Sequence, residues 1–195
     1  MTCIVAIKDD DNIYIGGDRQ GSSGGFITHR NKPKVFTLNY GYQGKQGLNK
    51  QDAMLIGFTS SFRMGDILRH IFKAPDYQLG IGPEDYMVKF FVPELIKCFK
   101  KNEYIQKKDE SISGGCFIVC LRGRIFTIEE DFQVGESIEN YAAVGSGSEI
   151  ALGAFYAMQN CNTSSSSEDK VRTALKAASH YNAYVDDIID IIVIG

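Results

Sequence analysis

Thr2-Cys3-Ile4-Val5-Ala6-Ile7 runs into the acidic turn Lys8-Asp9-Asp10-Asp11, and Ile13-Tyr14-Ile15-Gly16-Gly17-Asp18 follows almost at once. Two β-type apolar runs joined by a short polar turn predict a hairpin that begins at the second residue. Outward from it, residues 34–38 and 53–59 read as two more strands. The Gly-, Asn- and Gln-rich stretch 39–51 between them reads as an exposed loop.

Helical periodicity then takes over. Met64, Ile67, Leu68 and Ile71 recur at 3.6-type spacing in a helix over 61–72. Pro83 and Glu84 open a second helix, with Met87, Phe90, Phe91, Leu95, Cys98 and Phe99 on one face and a kink expected at Pro93. The basic run 97–108 reads as its solvated end. Residues 116–121 and 125–129 form another hairpin across Arg122-Gly123, and a short strand ends at Val144. Two helices follow, one carrying Ile150, Ala154 and Met158, the other starting at Glu168; residues 163–167 connect them and a strand over 190–194 closes the chain. Strands, two helices, strands, two helices, strand is not a regular βαβ alternation, which disfavours a doubly wound sheet. Two packed sheets covered outside by helix pairs satisfy every amphipathic face, in one domain spanning 1–195.

Composition narrows the chemistry. With 195 residues, 44% hydrophobic content and a net charge of -3, the chain can bury a full core and shows no basic footprint for nucleic acid. No apolar run reaches the ~18 residues of a membrane span, and the N-terminus lacks the pattern of a signal peptide, so a cytoplasmic location is expected. The five cysteines form no CxxC pair, and Cys116 and Cys120 are expected to pack in the core. His29, His70 and His180 follow no metal-ligand spacing. Val144-Gly145-Ser146-Gly147-Ser148 lacks the first glycine of a serine-hydrolase elbow, and Gly16-Gly17-Asp18-Arg19 lacks the Lys-Ser/Thr pair of a P-loop.

What remains is a constellation around Thr2. Thr2 to Ile7, then Ile15-Gly16-Gly17-Asp18-Arg19-Gln20, then Lys34-Val35, resembles the opening of proteasome β-subunits and HslV-like peptidases, the N-terminal nucleophile threonine peptidases. Tyr141 to Ser148 matches the Gly-Ser-Gly segment that precedes a helix in that family, and Tyr184 and the last strand also fall in register. The resemblance implies an α+β fold, a four-layer αββα sandwich. It implies that Met1 is removed, so that Thr2 supplies both the nucleophilic Oγ and, through its α-amine of pKa about 7.7–8.0, the base. Lys34 would favour the alkoxide and keep the amine neutral, and Asp18 would hold the lysine by a charge-assisted hydrogen bond. Ser146 would relay the amine's proton, although the same residue could simply cap the helix that follows.

Gly57-Phe58-Thr59-Ser60-Ser61 stands where the family has consecutive glycines, so the N–H of Ser60 would be the oxyanion donor. Ser22, Phe58 and Phe62 would line the substrate pocket. Asn182 and Val185 replace an Asp and a Ser that steady the nucleophile in many β-subunits. The family further implies unfolded polypeptide substrates, a homo-oligomeric ring, an AAA+ ATPase unfoldase and no cofactor. Two alternatives share much of the pattern: a catalytically silent ring subunit and an N-terminal nucleophile amidohydrolase of a small amide.

Overall fold

The computed structural model describes residues 2–23, 25–43, 49–108, 111–161 and 165–195. In chain order the first half holds β1 (Cys3–Asp9), β2 (Asn12–Asp18), β3 (Gln20–Ser23), β4 (Phe26–His29), β5 (Val35–Gln43), β6 (Asn49–Phe58) and α1 (Phe62–His70). A long helix follows in three parts, α2 (Pro83–Tyr86), a π-helical turn (Met87–Phe91) and α3 (Val92–Lys101). Then come β7 (Gln106–Lys108), β8 (Ser111–Ser113), β9 (Phe117–Leu121), β10 (Arg124–Ile128), β11 (Val134–Glu136), β12 (Tyr141–Gly145), α4 (Ser148–Asn160), α5 (Ser167–Tyr181) and β13 (Ile189–Ile194).

Two antiparallel sheets form the centre, a four-stranded one in the order β12-β1-β2-β13 and a five-stranded one in the order β11-β10-β9-β6-β5. Strand β1 shows why they stack. Its side chains alternate between faces: Cys3, Val5 and Ile7 join the cluster of Ala151, Phe155, Val171 and Leu175 from α4 and α5. Ile4 and Ala6 meet Leu55, Ile118 and Cys120 of the other sheet. Strand β6 alternates in the same way, sending Met54, Ile56 and Phe58 toward Met64, Ile67 and Leu68 of α1. Each sheet is therefore buried on both faces, which yields the helix–sheet–sheet–helix layering expected.

The sheets come close near the hairpin's open end. A Cβ on Gly57 would lie 2.5 Å from Ile4 and 2.8 Å from Ile15, so only a glycine admits this approach. At the Arg122-Gly123 turn both residues have positive φ, 50° and 76°, the arrangement that matches the twist of a two-residue hairpin.

The structure corrects several expectations. Residues 39–43 and 49–51 continue β5 and β6 rather than forming an open loop; residues 44–48 lie outside the described ones. Pro93 does not simply kink one α-helix. The turn before it is π-helical, with Val92 N donating to Met87 O, which accommodates a ring that can neither donate nor fit against a regular turn. Lys97–Lys101 end a helix as expected, but Gln106–Lys108 pair with β8. Cys120 is in the core, whereas Cys116 is half-exposed just before β9. The Gly- and Ser-rich β3–β4 hairpin went unread because it carries no apolar alternation. Of the connector 163–167, residues 163 and 164 are not described. No helix among the described residues is long and apolar enough to cross a membrane.

Gly65 tests the packing of α1. An added Cβ would sit 2.2 Å from the Phe58 ring, which is buried and flanked by Phe36 and Phe62 at 6.5 and 6.3 Å. Helix propensity would gain about 1 kcal/mol in Gly65→Ala, but overpacking costs about 1–3 kcal/mol. We expect a net loss and a lower Tm in thermal melts; a raised Tm would mean that the ring yields freely.

Candidate active site

Thr2 lies immediately before β1 and is 3% exposed. The pairing of β1 with β2 brings Asp18 beside it, since the Cys3 N–H donates to Asp18 Oδ1 at 2.9 Å. The Gln20 N–H donates to Asp18 Oδ2, also at 2.9 Å, so each carboxylate oxygen is held by the backbone. Lys34 enters from the residue before β5, in the opposite sheet, and is 2% exposed.

The lysine head is fully committed. Its Nζ lies 2.5 Å from Thr2 Oγ1, 3.0 and 3.1 Å from the Asp18 oxygens, and 2.5 Å from the Gln20 carbonyl. An ammonium has three protons and here meets three acceptor groups, whereas a neutral amine could serve only two. Burial pulls the Lys34 pKa down, opposed first by the charge of Asp18. Burial likewise pushes Asp18 up, opposed by Lys34 and by the two backbone donors. The geometry favours the charged pair. Cys3, adjacent to Thr2, is held as the neutral thiol: burial, followed by the field of Asp18, pushes it up to about 12.

Across Thr2 from the lysine, the Thr2 N–H donates to Ser146 Oγ at 3.2 Å, and Ser146 Oγ is 3.2 Å from the Thr2 carbonyl. Ser146 does not cap α4; Gly147 occupies that position and makes no side-chain cap. Asn182, the C-cap of α5, donates from Nδ2 to the Ser146 carbonyl at 2.6 Å and accepts from the Tyr184 N–H at 2.9 Å. Val185 is buried, and a Cβ on Gly147 would meet it at 3.0 Å. Where the sequence suggested a loss, a hydrogen bond and a packing contact therefore hold the Ser146 corner.

Ser60 has φ 61°, a left-handed conformation that costs a non-glycine residue roughly 1 kcal/mol. Its hydroxyl supplies compensation, accepting from the Cys116 N–H at 3.1 Å and pairing with Thr59 Oγ1 at 3.1 Å. The side chain thus turns toward Cys116. Gly115, at φ 95°, leaves room for it.

Two cavities flank Thr2. A narrow one of about 70 Å³ is lined by Ser22, Phe58, Ser60 and Phe62, with Lys34 behind. The Phe62 ring covers Gly21, where a Cβ would lie 2.5 Å from it, and Arg30 stacks on the ring at 4.6 Å. A wider cleft of about 500 Å³ opens on the Ser146 side.

All eight residues singled out from the sequence border Thr2 or these two cavities. Thr2, Asp18, Lys34 and Ser146 form one hydrogen-bonded chain; Ser60 lines both cavities; Ser22, Phe58 and Phe62 line the narrow one. Sequence reading missed the Gln20 carbonyl and the bond from Asn182 to the Ser146 backbone. Backbone acceptors leave no mark in side-chain identity. That Asn182 can hydrogen-bond without carrying a charge is legible in its identity; that the Ser146 carbonyl is what it bonds is not. Among the described residues no three His, Cys, Asp or Glu side chains come together as a metal site.

Along 98% of its length the chain is 25% identical to the ATP-dependent protease subunit HslV of Caldicellulosiruptor saccharolyticus, of which it covers 97%. Its fold is similar to that of the eukaryotic HslV from Trypanosoma brucei, at TM-score 0.66 and 18% identity, with 98% of each chain covered. It is also similar to that of BPH from Thiobacillus denitrificans in complex with epoxomicin, at TM-score 0.72 and 20% identity, covering 98% of this chain and 97% of that one. No family model matches the chain.

The buried pair gives a pH-dependent stability test. Lys34→Met leaves Asp18 buried without its counter-ion, a loss of about 3–5 kcal/mol at neutral pH. With the ammonium gone, the Asp18 pKa rises further above its unfolded value. Its destabilisation is then largest at neutral pH and shrinks as pH falls and the carboxyl takes up a proton. Urea unfolding at pH 7.5 and 4.5 should show the gap to the unsubstituted protein narrowing at the lower pH. An equal gap would show that Asp18 is not the buried charge at issue.

Proposed function

The chain resembles HslV and the proteasome-type N-terminal nucleophile hydrolases in sequence and fold, and we propose that it is a threonine-type peptidase subunit cleaving unfolded polypeptides. The observation that carries this reading is Lys34 Nζ at 2.5 Å from Thr2 Oγ1, backed by the buried carboxylate of Asp18. After removal of Met1, the Thr2 amine takes the hydroxyl proton as Oγ attacks the scissile carbonyl carbon. Lys34 stabilises the developing negative charge on Oγ, and the Ser60 N–H receives the carbonyl oxygen as it becomes an oxyanion. The amine then hands its proton to the leaving nitrogen, with Ser146 alongside. The C–N bond breaks and leaves an ester on Thr2, which water hydrolyses to free the acid and regenerate the hydroxyl.

The narrow cavity beside Ser22, Phe58 and Phe62 accepts the side chain preceding the cleaved bond, and its size favours small or medium apolar ones. The Caldicellulosiruptor relative is named as a subunit of an ATP-dependent protease. That likeness supports a homo-oligomeric ring served by an AAA+ ATPase unfoldase, in the cytoplasm. The open cleft of about 500 Å³ suits a polypeptide better than a small amide, and the intact Thr2–Lys34–Asp18 chain argues against a silent subunit.

Removal of Met1 is the first test. A retained methionine turns the base into an amide, so that form should be inert, whereas the Met1-free form should cleave peptides and gain the mass of epoxomicin on Thr2. Intact mass spectrometry sorts the two before assay. Equal activity of both forms would mean that Thr2 is not the nucleophile.

The pH profile is the second. Activity should fall on the acid side as the amine, pKa about 7.7–8.0, becomes protonated. It should fall on the alkaline side where Lys34 loses its proton, below the ordinary 10.5 because burial lowers that pKa. Asp18 raises the Lys34 pKa, so Asp18→Asn should move the alkaline limb of kcat/KM to lower pH. An alkaline limb that stays in place would remove Lys34 from the mechanism.

A further inference from the structure

The two cavities flanking Thr2 are not equivalent, and proton traffic tells them apart. In the peptidase reading, on which this inference rests, the Thr2 amine delivers its proton to the leaving nitrogen. That nitrogen of Thr2 faces Ser146 Oγ at 3.2 Å. The half of the substrate that departs as an amine therefore lies on the Ser146 side, in the cleft of about 500 Å³.

The walls of this cleft carry one sign of charge. Beyond Thr2, Ser60, Cys116 and Ser146, they present the carboxylates of Glu129 and Glu130, and no cation is among the described lining residues. Both glutamates are exposed, and neither is in an ion pair among the described residues. Their backbone is nevertheless fixed. The Phe132 N–H donates to the Glu129 carbonyl at 2.9 Å, the Glu129 N–H to the Gln133 carbonyl at 3.0 Å, and the Gly114 N–H to the Glu130 carbonyl at 2.9 Å. The Glu129 carboxylate lies on the same side as Cys116, whose Sγ donates to Glu129 Oε2 at 3.8 Å, and after burial Glu129 and then Glu130 push that thiol up to about 11. A cleft that must hold the leaving segment thus presents to it, along one wall, two carboxylates that have no ion-pair partner among the described residues.

We propose that this cleft is a subsite for a cationic side chain, Lys or Arg, within the first residues after the cleaved bond. The narrow cavity selects by size on one side of the bond, and the wide one selects by charge on the other. Because the glutamates are exposed, the preference is electrostatic and screened by salt.

The test uses the Met1-free protein and internally quenched peptides with Ala before the cleaved bond. They differ only in carrying Lys, Ala or Glu at the two positions after it. In low salt kcat/KM should fall from Lys to Ala to Glu, with a spread of about tenfold between the extremes. That spread should contract in 0.5 M NaCl and collapse to about twofold in Glu129→Gln/Glu130→Gln. Equal rates for the three peptides, or a spread that survives in the double variant, would overturn the subsite while leaving the peptidase reading intact. A protein that cleaves none of them and whose Thr2 epoxomicin leaves unmodified would overturn the peptidase reading, and the subsite with it.

Discussion

The site depends on one buried ammonium. Lys34 is almost fully enclosed, and its three protons meet Thr2 Oγ1, the Asp18 carboxylate and the Gln20 carbonyl. A buried charge with even one proton unmatched would cost several kcal/mol or discharge itself. The positions of Thr2, Asp18 and Gln20 are therefore not independent choices. They are the acceptor set without which the lysine could not stay charged at this depth, and a charged lysine is what distinguishes the Thr2 hydroxyl from an ordinary one.

The fold meets this requirement through two-sided burial of the first hairpin. Because β1 packs on both faces, a slip of its register by one residue would turn Cys3, Val5 and Ile7 from the helices to the facing sheet and Ile4 and Ala6 the other way, and would mismatch both packings at once. That register places the Cys3 N–H on Asp18, and Asp18 at the end of β2 meets a lysine from the other sheet. Gly57 and Ile4 set how near the two sheets approach at this end. A helix pair outside each sheet keeps the whole assembly dry. Packing fixes backbone register, and register fixes chemistry.

This chain of dependence explains what the sequence disclosed. Alternation in residues 3–7, glycines at 16 and 17 and the spacing of Asp18 and Lys34 are properties of long, doubly buried elements, where pattern and packing agree. The layering and the Thr2–Asp18–Lys34–Ser146 grouping were legible for that reason. The β3–β4 hairpin was not, because Gln20–Ser23 is built of small and polar residues with no apolar face to read. The π-helical turn before Pro93 was half legible: proline announces a disturbance but not which adjustment absorbs it. The Gln20 carbonyl was invisible in principle, since every residue has one.

The three departures from the proteasome-like pattern have physical substitutes, and one of them bears on the base. Ser60 takes a conformation suited to glycine and ties its side chain to the Cys116 N–H. Val185 replaces a polar contact with packing against Gly147. Asn182 retains a hydrogen bond to the Ser146 backbone but brings no negative charge to the corner where the amine would stand. A carboxylate there would favour the protonated amine and raise its pKa; the amide does not. The ammonium of Lys34, close on the other side of Thr2, pushes in the opposite direction and favours the neutral amine. In the peptidase reading, with Met1 removed, the amide at 182 would thus leave Asp18, already paired with Lys34, as the carboxylate of this corner.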